Sequence, residues 1–321
     1  MSVSRKLNRV VVILGPTASG KTKLSLMLAK KFNGEIISAD SMQVYRRMDI
    51  GTSKPSKAEQ KKVHHHLLDL CTPNQSWTLS DWQKAANKSI ESILKKGKTP
   101  FLVGGTGLYL SSIIENYNLP KAMPNDALRK KLNRLSAAQL FSEIKKFDPA
   151  TAKIIDKYNK RRLIRALEFV VTNNRSFAAA QEKNKSPYEF LILGPTLPRE
   201  QLNKRIDERM RAMSRAGLEK EVRRLSDKYS WNLPAMHAIG YKEWQSYFQG
   251  QASKKGTIAL VQRNTRNYAK RQMTWFRGME KRNKIEWVRN EKQAERVVKN
   301  FLALVIARSE VQQDATTKQS L

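Results

Sequence analysis

Short apolar runs alternate along this chain with longer stretches whose apolar residues recur every three or four positions. The runs Val10 to Leu14, Glu35 to Ser38, Thr99 to Val103, Phe190 to Leu193 and Ile285 to Val288 predict short buried strands. After the first run, Leu24, Met27 and Leu28 share one side of a helix. Ser80 to Lys96 places Trp82, Ala85, Ala86, Ile90, Ile93 and Leu94 at helical spacing, with Ser80 as its N-cap and Gly97 as its stop. Strands that alternate with helices predict an α/β fold: a parallel sheet flanked by helices.

From Leu119 to Pro187 the pattern changes to short helical segments rich in Lys and Arg, with no strand-like run before Phe190. An all-helical insertion is expected there, so the sheet domain is discontinuous. Residues 1–118 and 188–310 make the core, 119–187 the insertion, and 311–321 a polar, frayed tail. Beyond the insertion, Arg199 to Lys228 reads as a basic helix pair, Thr257 to Arg277 as another helix, and Lys292 to Arg308 as the last.

The 321 residues suffice for one large or two modest domains, and 40% hydrophobic content excludes a disordered or fibrous chain. Lys and Arg number 61 against 28 Asp and Glu, and the net +33 exceeds what one small phosphorylated substrate would neutralise. A polyanionic partner follows, with a solvated basic surface and an anionic membrane surface as the competing readings. No apolar run reaches the roughly 20 residues that span a bilayer, and no signal-peptide segment precedes the first strand. A cytoplasmic protein without membrane insertion is therefore expected. The single cysteine, Cys71, has no companion for a disulfide or a zinc site and fits a reducing compartment.

Directly after the first strand, Gly15-Pro16-Thr17-Ala18-Ser19-Gly20-Lys21-Thr22 matches G-x-x-x-x-G-K-[ST]. A strand, a loop whose glycines let consecutive amides turn inward, and the positive end of a helix together cradle an oligophosphate. Lys21 adds charge for the outer phosphates, and the Thr22 hydroxyl is placed to ligate Mg2+. In ATP-hydrolysing proteins of this kind another strand usually ends in a carboxylate, but Thr99 to Val103 ends in Gly104-Gly105-Thr106. Asp40 is the acid at a strand's C-terminal end, where parallel sheets gather ligands. It is the candidate general base, with a turn-capping role as the alternative. Thr106 offers a hydroxyl to a bridging or leaving oxygen, or else caps a helix. Arg205 and Arg209, four apart, either clamp a phosphate or pair with Asp207 and Glu208. His64, His65 and His66 cannot all face one ion from a regular helix or strand, so hydrogen-bonding or structural roles are expected. Arg263, Arg266, Lys270 and Arg277 recur at helical spacing among Tyr268, Trp275 and Phe276, which suits RNA backbone with stacked bases and suits a packed core equally.

Further blocks follow in order: Ser38-Ala39-Asp40-Ser41-Met42-Gln43-Val44-Tyr45, Asp49-Ile50-Gly51-Thr52-Ser53-Lys54-Pro55, His65-His66-Leu67-Leu68-Asp69 and Leu102-Val103-Gly104-Gly105-Thr106-Gly107-Leu108-Tyr109. Arg162-Leu163-Ile164-Arg165-Ala166-Leu167-Glu168, Ala238-Ile239-Gly240-Tyr241-Lys242 and Lys270-Arg271-Gln272-Met273-Thr274-Trp275-Phe276-Arg277 complete the set. With the phosphate loop, these eight blocks resemble the tRNA dimethylallyltransferases (tRNA isopentenyltransferases, the IPP transferase family) over nearly the whole folded chain. Arg161 and His237 stand where that family commonly has glutamine and arginine. The C-terminus lacks the zinc-finger cysteines and histidines of eukaryotic relatives, so the chain is similar to the bacterial type.

The resemblance implies transfer of a dimethylallyl group from dimethylallyl diphosphate to N6 of the adenosine 3′-adjacent to the anticodon, with release of diphosphate. It implies that Gly15, Pro16, Thr17, Ala18, Ser19, Gly20, Lys21 and Thr22 hold the diphosphate, Thr22 through Mg2+, and that Arg209 binds phosphate. Asp40 would take a proton or hydrogen bond from the adenine amine, and Thr106 would contact the oxygen linking allyl to diphosphate. Contacts to tRNA carry over to Asp40, Ser41, Met42, Gln43, Thr106, Arg129, Arg161, Arg162, Leu163, Ile164 and Arg165, and to His237, Ala238, Ile239, Gly240, Tyr241 and Lys242. The target base would be flipped from its stack, and the insertion would grip the anticodon stem-loop. A monomer is expected. Prenylation of free adenosine phosphates shares the loop and Asp40 but needs no RNA, so the +33 charge speaks against it. A small-molecule kinase or RNA-binding ATPase is opposed by the missing acid after Val103.

Overall fold

The structure is a computed structural model that describes residues 8–119, 125–180 and 185–303. Among these residues, β1 (Arg9–Leu14), β2 (Gly34–Ala39), β3 (His65–His66), β4 (Thr99–Gly104), β5 (Glu189–Pro195) and β6 (Ile285–Val288) form one sheet. Its order is β3-β2-β4-β1-β5-β6, and every neighbouring pair is parallel. The chain divides into two compact units, Met1–Ile114 with Pro187–Leu321, and Glu115–Ser186.

Alternate residues of the central strands enter opposite cores, which is why their sequence is continuously apolar. Val10, Val12 and Leu14 pack with Ile37, Leu102 and Ile192 under the helix Leu79–Lys95, which contributes Trp82, Ala86, Ile90 and Ile93. Val11 and Ile13 pack the other way with Ile36, Phe101 and Leu193, against Leu24 and Leu28 of the helix Lys21–Lys31 and Ala294 and Val298 of the helical residues 291–303. The expected end of that last helix at Arg308 and the tail 311–321 lie outside the described residues.

One local expectation is corrected. The helix over the first core is capped by Thr78, not Ser80: the Thr78 hydroxyl accepts from Asp81 N, and the Asp81 carboxylate accepts from Thr78 N at 3.0 Å. The strand β3 has only two residues, too few for a periodic signal, and forms because Ile36 and Ile37 of β2 offer it an edge.

The second unit is helical, with helices Asp126–Asn133, Ala137–Phe147, Pro149–Ile154, Lys160–Asn173 and Phe177–Ala180. They close over Leu132, Leu140, Ile144, Ile155, Leu163 and Leu167. Glu168 is fully buried in this unit and accepts from Asn125 N at 2.8 Å while pairing with Arg129 and Arg165, each at 2.8 Å. The two arginines compensate a charge that would otherwise be costly to bury.

In the first unit, residues 40–72 carry little regular structure and are held by buried polar groups instead. Glu221, on the helix Leu218–Ser226, accepts from the amides of Asp49 (3.0 Å), Ile50 (2.9 Å) and Gly51 (3.0 Å) and from the Tyr241 hydroxyl (2.7 Å). A Cβ on Gly51 would fall 2.4 Å from the Tyr241 ring, so only glycine lets this loop approach. Lys54 is buried and donates to Tyr45 O (2.8 Å), Asp49 (2.7 Å) and Asp69 (2.6 Å). Replacing Glu221 by Ala strips four donors of their acceptor. Urea unfolding should show a loss of about 3 kcal/mol, against about 1 kcal/mol for Tyr241→Phe. Equal losses would mean that the carboxylate does not carry the loop.

Candidate active site

The phosphate loop leaves β1 at the C-terminal edge of the sheet, where Ala18 (φ 63°) and Gly20 (φ 93°) adopt left-handed backbone. The helix Lys21–Lys31 then begins with no side-chain cap and no acid in its first turn. Its first amides are therefore left to an anion. The Ser19 hydroxyl is buried without a protein partner, as befits a cradle that a bound group completes.

Gln272, from the helix Lys254–Glu280, locks the loop to the end of β4. Its Oε1 accepts from Thr17 N at 2.9 Å, and its Nε2 donates to Gly105 O at 2.8 Å. A Cβ on Gly104 would fall 2.1 Å from Ala39 O, and one on Gly105 2.3 Å from Gln272 Nε2. The two glycines that replace the usual ATPase acid are thus required by close packing.

A cavity of about 280 Å³ opens beside the loop and brings distant motifs together. Thr17, Lys21 and Thr22 line it with Asp40, Ser41, Met42 and Gln43, with Arg209, and with Ala238, Ile239 and Gly240. The helix Arg199–Arg215 adds Ile206, Met210 and Met213 on the face that carries Arg209. The helix Lys254–Glu280 adds Val261, Thr265, Tyr268 and Gln272 at helical spacing. One side is thus cationic and hydroxyl-rich, and another is apolar.

Burial, and then the nearby Arg209 charge, bring the Lys21 ammonium down to about 8, against a smaller opposing pull from Asp40. Lys21 Nζ donates to Pro16 O at 3.2 Å, and Arg209 Nη1 donates to Thr17 Oγ1 at 3.3 Å. Burial also lowers the Arg209 pKa. Two desolvated cations around one loop are a standing demand for anions. Arg205 Nη1 lies 3.5 Å from where a Cβ on Gly20 would stand, and Asp207 pairs with Arg266.

Asp40 caps the turn, its Oδ1 accepting from Met42 N at 2.9 Å, and the residue also lines the cavity. Thr106 is outside the cavity lining but tied to it: its Oγ1 accepts from Ser41 N at 3.2 Å and it hydrogen-bonds Tyr268. Tyr268, one of the aromatics that the sequence offers to RNA bases or to a core, stands on the cavity wall. Burial, and then Asp40, push its phenol up to about 12. The signal for it was the stripe Thr265, Tyr268 and Gln272, polar positions on a face that also carries Val261 into the core.

The segment after the turn Pro234–His237 is pinned by Glu243, which accepts from Gly240 N at 2.9 Å and from Asn264 Nδ2 at 2.7 Å. His237 and Lys242 are exposed. Tyr241 and Leu163 are fully buried and Ile164 nearly so: these side chains build the cores that hold their neighbours in place. Arg161 and Arg162 are exposed, whereas Arg129 and Arg165 serve Glu168.

The histidine triplet splits by strand alternation. His65 lines the cavity, and its Nδ1 lies 2.8 Å from Val63 O, a contact that needs the proton on Nδ1. Burial lowers its pKa. His64 and His66 come together with Glu35, their ligand atoms within 4.8 Å of one another. Glu35 already takes hydrogen bonds from His66 (2.7 Å), Lys98 (2.7 Å) and Lys96 (3.3 Å), which hold its carboxyl down at about 2 although burial pushes it up. A compensated carboxylate flanked by two ammonium groups is a poor cation site.

Among the described residues no helix is long and apolar enough to cross a membrane. The family profile described as IPP transferase matches residues 43–279. The chain is 44% identical over 271 residues to a tRNA dimethylallyltransferase of Anoxybacillus flavithermus, covering 84% of this chain and 87% of that one. Its fold matches the crystal structure of the full-length tRNA isopentenylpyrophosphate transferase from Bacillus halodurans with a TM-score of 0.70 at 38% identity, over 95% of this chain and 99% of that one. A eukaryotic dimethylallyltransferase described as acting on tRNA matches with a TM-score of 0.74 at 28% identity, over 84% of this chain and 69% of that one. Sequence and fold therefore agree along most of the chain, which belongs to the IPP transferase family, that of the tRNA dimethylallyltransferases.

Proposed function

We propose that this protein transfers the dimethylallyl group of dimethylallyl diphosphate to N6 of the adenosine 3′-adjacent to the anticodon of tRNA. The observation that carries the reading is that Thr17, Lys21 and Thr22 of the phosphate loop, Arg209 and Asp40 line one cavity together with the apolar side chains of Ile206, Met210, Met213 and Val261. A diphosphate suits the cationic side, and a five-carbon allyl group suits Ile206, Met210, Met213 and Val261.

In the reaction N6 attacks C1 of the allyl group, the C1–O bond breaks, and the electron pair leaves with diphosphate. Charge therefore grows on diphosphate oxygens in the transition state, where the loop amides, Lys21 and Arg209 stabilise it. Asp40 accepts the proton that N6 loses, held in orientation by Met42 N. Thr106, tied to Tyr268, supports the oxygen that joins allyl to diphosphate. The donors at the loop are hard oxygens, with the Thr22 hydroxyl on the cavity wall, and suit Mg2+. When bound, Mg2+ would neutralise part of the departing charge. The +33 net charge favours tRNA over a free nucleotide, with the exposed Arg161, Arg162, His237 and Lys242 and the cavity residues Asp40 to Gln43 and Ala238 to Gly240 as its contacts. The protein acts as a cytoplasmic monomer in this reading.

The deciding experiment incubates the protein with labelled dimethylallyl diphosphate, Mg2+ and unmodified tRNA, then identifies the labelled nucleoside. Label in N6-prenylated adenosine beside the anticodon is expected; label on added AMP alone would overturn the tRNA reading. Asp40→Asn keeps the acceptor for Met42 N but loses the base, so turnover should fall by a factor on the order of 100 or more with tRNA binding retained. Near-wild-type turnover would remove Asp40 as the base. The Lys21 pKa near 8 gives a sign for pH. Diphosphate binds the protonated lysine, so affinity by calorimetry should be constant below pH 8 and weaken above it, by at most about tenfold per pH unit. Lys21→Arg, which keeps its charge, should flatten that dependence.

A further inference from the structure

Tyr158 is 79% exposed, on a turn of the helical unit between Ile154 and the helix Lys160–Asn173. The turn is built rigidly. Asp156 Oδ1 accepts from Tyr158 N at 3.0 Å, Asn159 N donates to Asp156 O at 3.1 Å, and Asn159 Oδ1 accepts from Arg162 N at 3.1 Å. Ile155 before it and Leu163 after it are buried in the unit's own core. An aromatic ring is thus held in water by a fixed backbone, which folding alone does not require.

The charge along this turn is mostly positive. Lys157 lies 5.1 Å from the ring centroid, and Lys153, Lys160, Arg161 and Arg162 are close in sequence, while the local acid, Asp156, is occupied in the turn. Lys160 donates to Asn133 O at 2.9 Å, which ties the turn to a second helix. A rigid exposed ring amid cations matches single-stranded RNA, whose bases stack and whose phosphates need positive charge. A protein partner would favour apolar neighbours, and here the neighbours are mostly cationic.

We propose that Tyr158 is a stacking platform for an unpaired base of the tRNA anticodon loop, with Lys157, Arg161 and Arg162 meeting the flanking phosphates. The proposal rests on tRNA being the substrate. Stacking is indifferent to the tyrosine hydroxyl, so the ring alone should matter.

The test titrates full-length protein with an anticodon stem-loop RNA carrying 2-aminopurine at one unpaired loop position at a time, following fluorescence quenching and anisotropy. Wild type and Tyr158→Phe should bind within about twofold of each other, and Tyr158→Ala about tenfold more weakly at an unchanged melting temperature. One loop position should be quenched in wild type and relieved in Tyr158→Ala. If wild type binds the stem-loop and Tyr158→Ala binds equally, the platform is refuted; so is it if Tyr158→Phe loses as much as Tyr158→Ala, which would indicate a hydroxyl contact. Failure of the wild type itself to bind would refute the tRNA reading and the platform with it.

Discussion

One primary amide decides the shape of this active site. Gln272 gives its acceptor to the phosphate loop and its donor to the glycine turn after β4, so two strand ends are held at a fixed separation by a single planar group. The turn leaves no room for a side chain at Gly104, where a Cβ would meet Ala39 O at 2.1 Å, and one at Gly105 would meet Gln272 itself at 2.3 Å. The loop is left able to hold phosphate without the group that hydrolytic chemistry at that strand would use.

The site is electrostatically incomplete without an anion. Burial lowers the pKa of both Lys21 and Arg209, and the Arg209 charge lowers Lys21 further, with Asp40 as the sole acid on the cavity wall and the helix N-terminus uncapped beside them. Two negative phosphates would satisfy all of these groups at once. In prenyl transfer such a requirement grows as the C1–O bond breaks, because charge moves onto the diphosphate, so in the proposed reading the arrangement favours the transition state more than the substrate. Asp40 also acts electrostatically on Lys21, Arg209 and Tyr268, which makes it the acid on the cavity wall that the proposed reaction calls on as its base.

Elsewhere, buried carboxylates do structural work. Glu221, Glu168 and Glu35 each collect backbone amides or cations and fix, respectively, the loop after β2, the helical unit and the sheet edge at β3. Their partners come from positions far apart in sequence, so no local pattern announces them.

The central strands were legible because burial on both faces demands a continuous apolar run, and the phosphate loop was legible because its glycine, lysine and threonine spacing follows from local backbone geometry. The parallel α/β fold follows from the same alternation. Tertiary structure alone decided what the spacing could not. It put Tyr268 on the cavity wall and Leu163 and Tyr241 in cores, because a helical stripe gives a face but not what the face meets. It also made a strand of His65 and His66, because only the neighbouring edge of β2 gives two residues a ladder to join. Local covalent and steric rules act within a few residues and can be read along the chain. Long-range contacts such as Glu221 with residues 49–51 depend on which surfaces the packed sheet brings together, and that is settled only when the chain has folded.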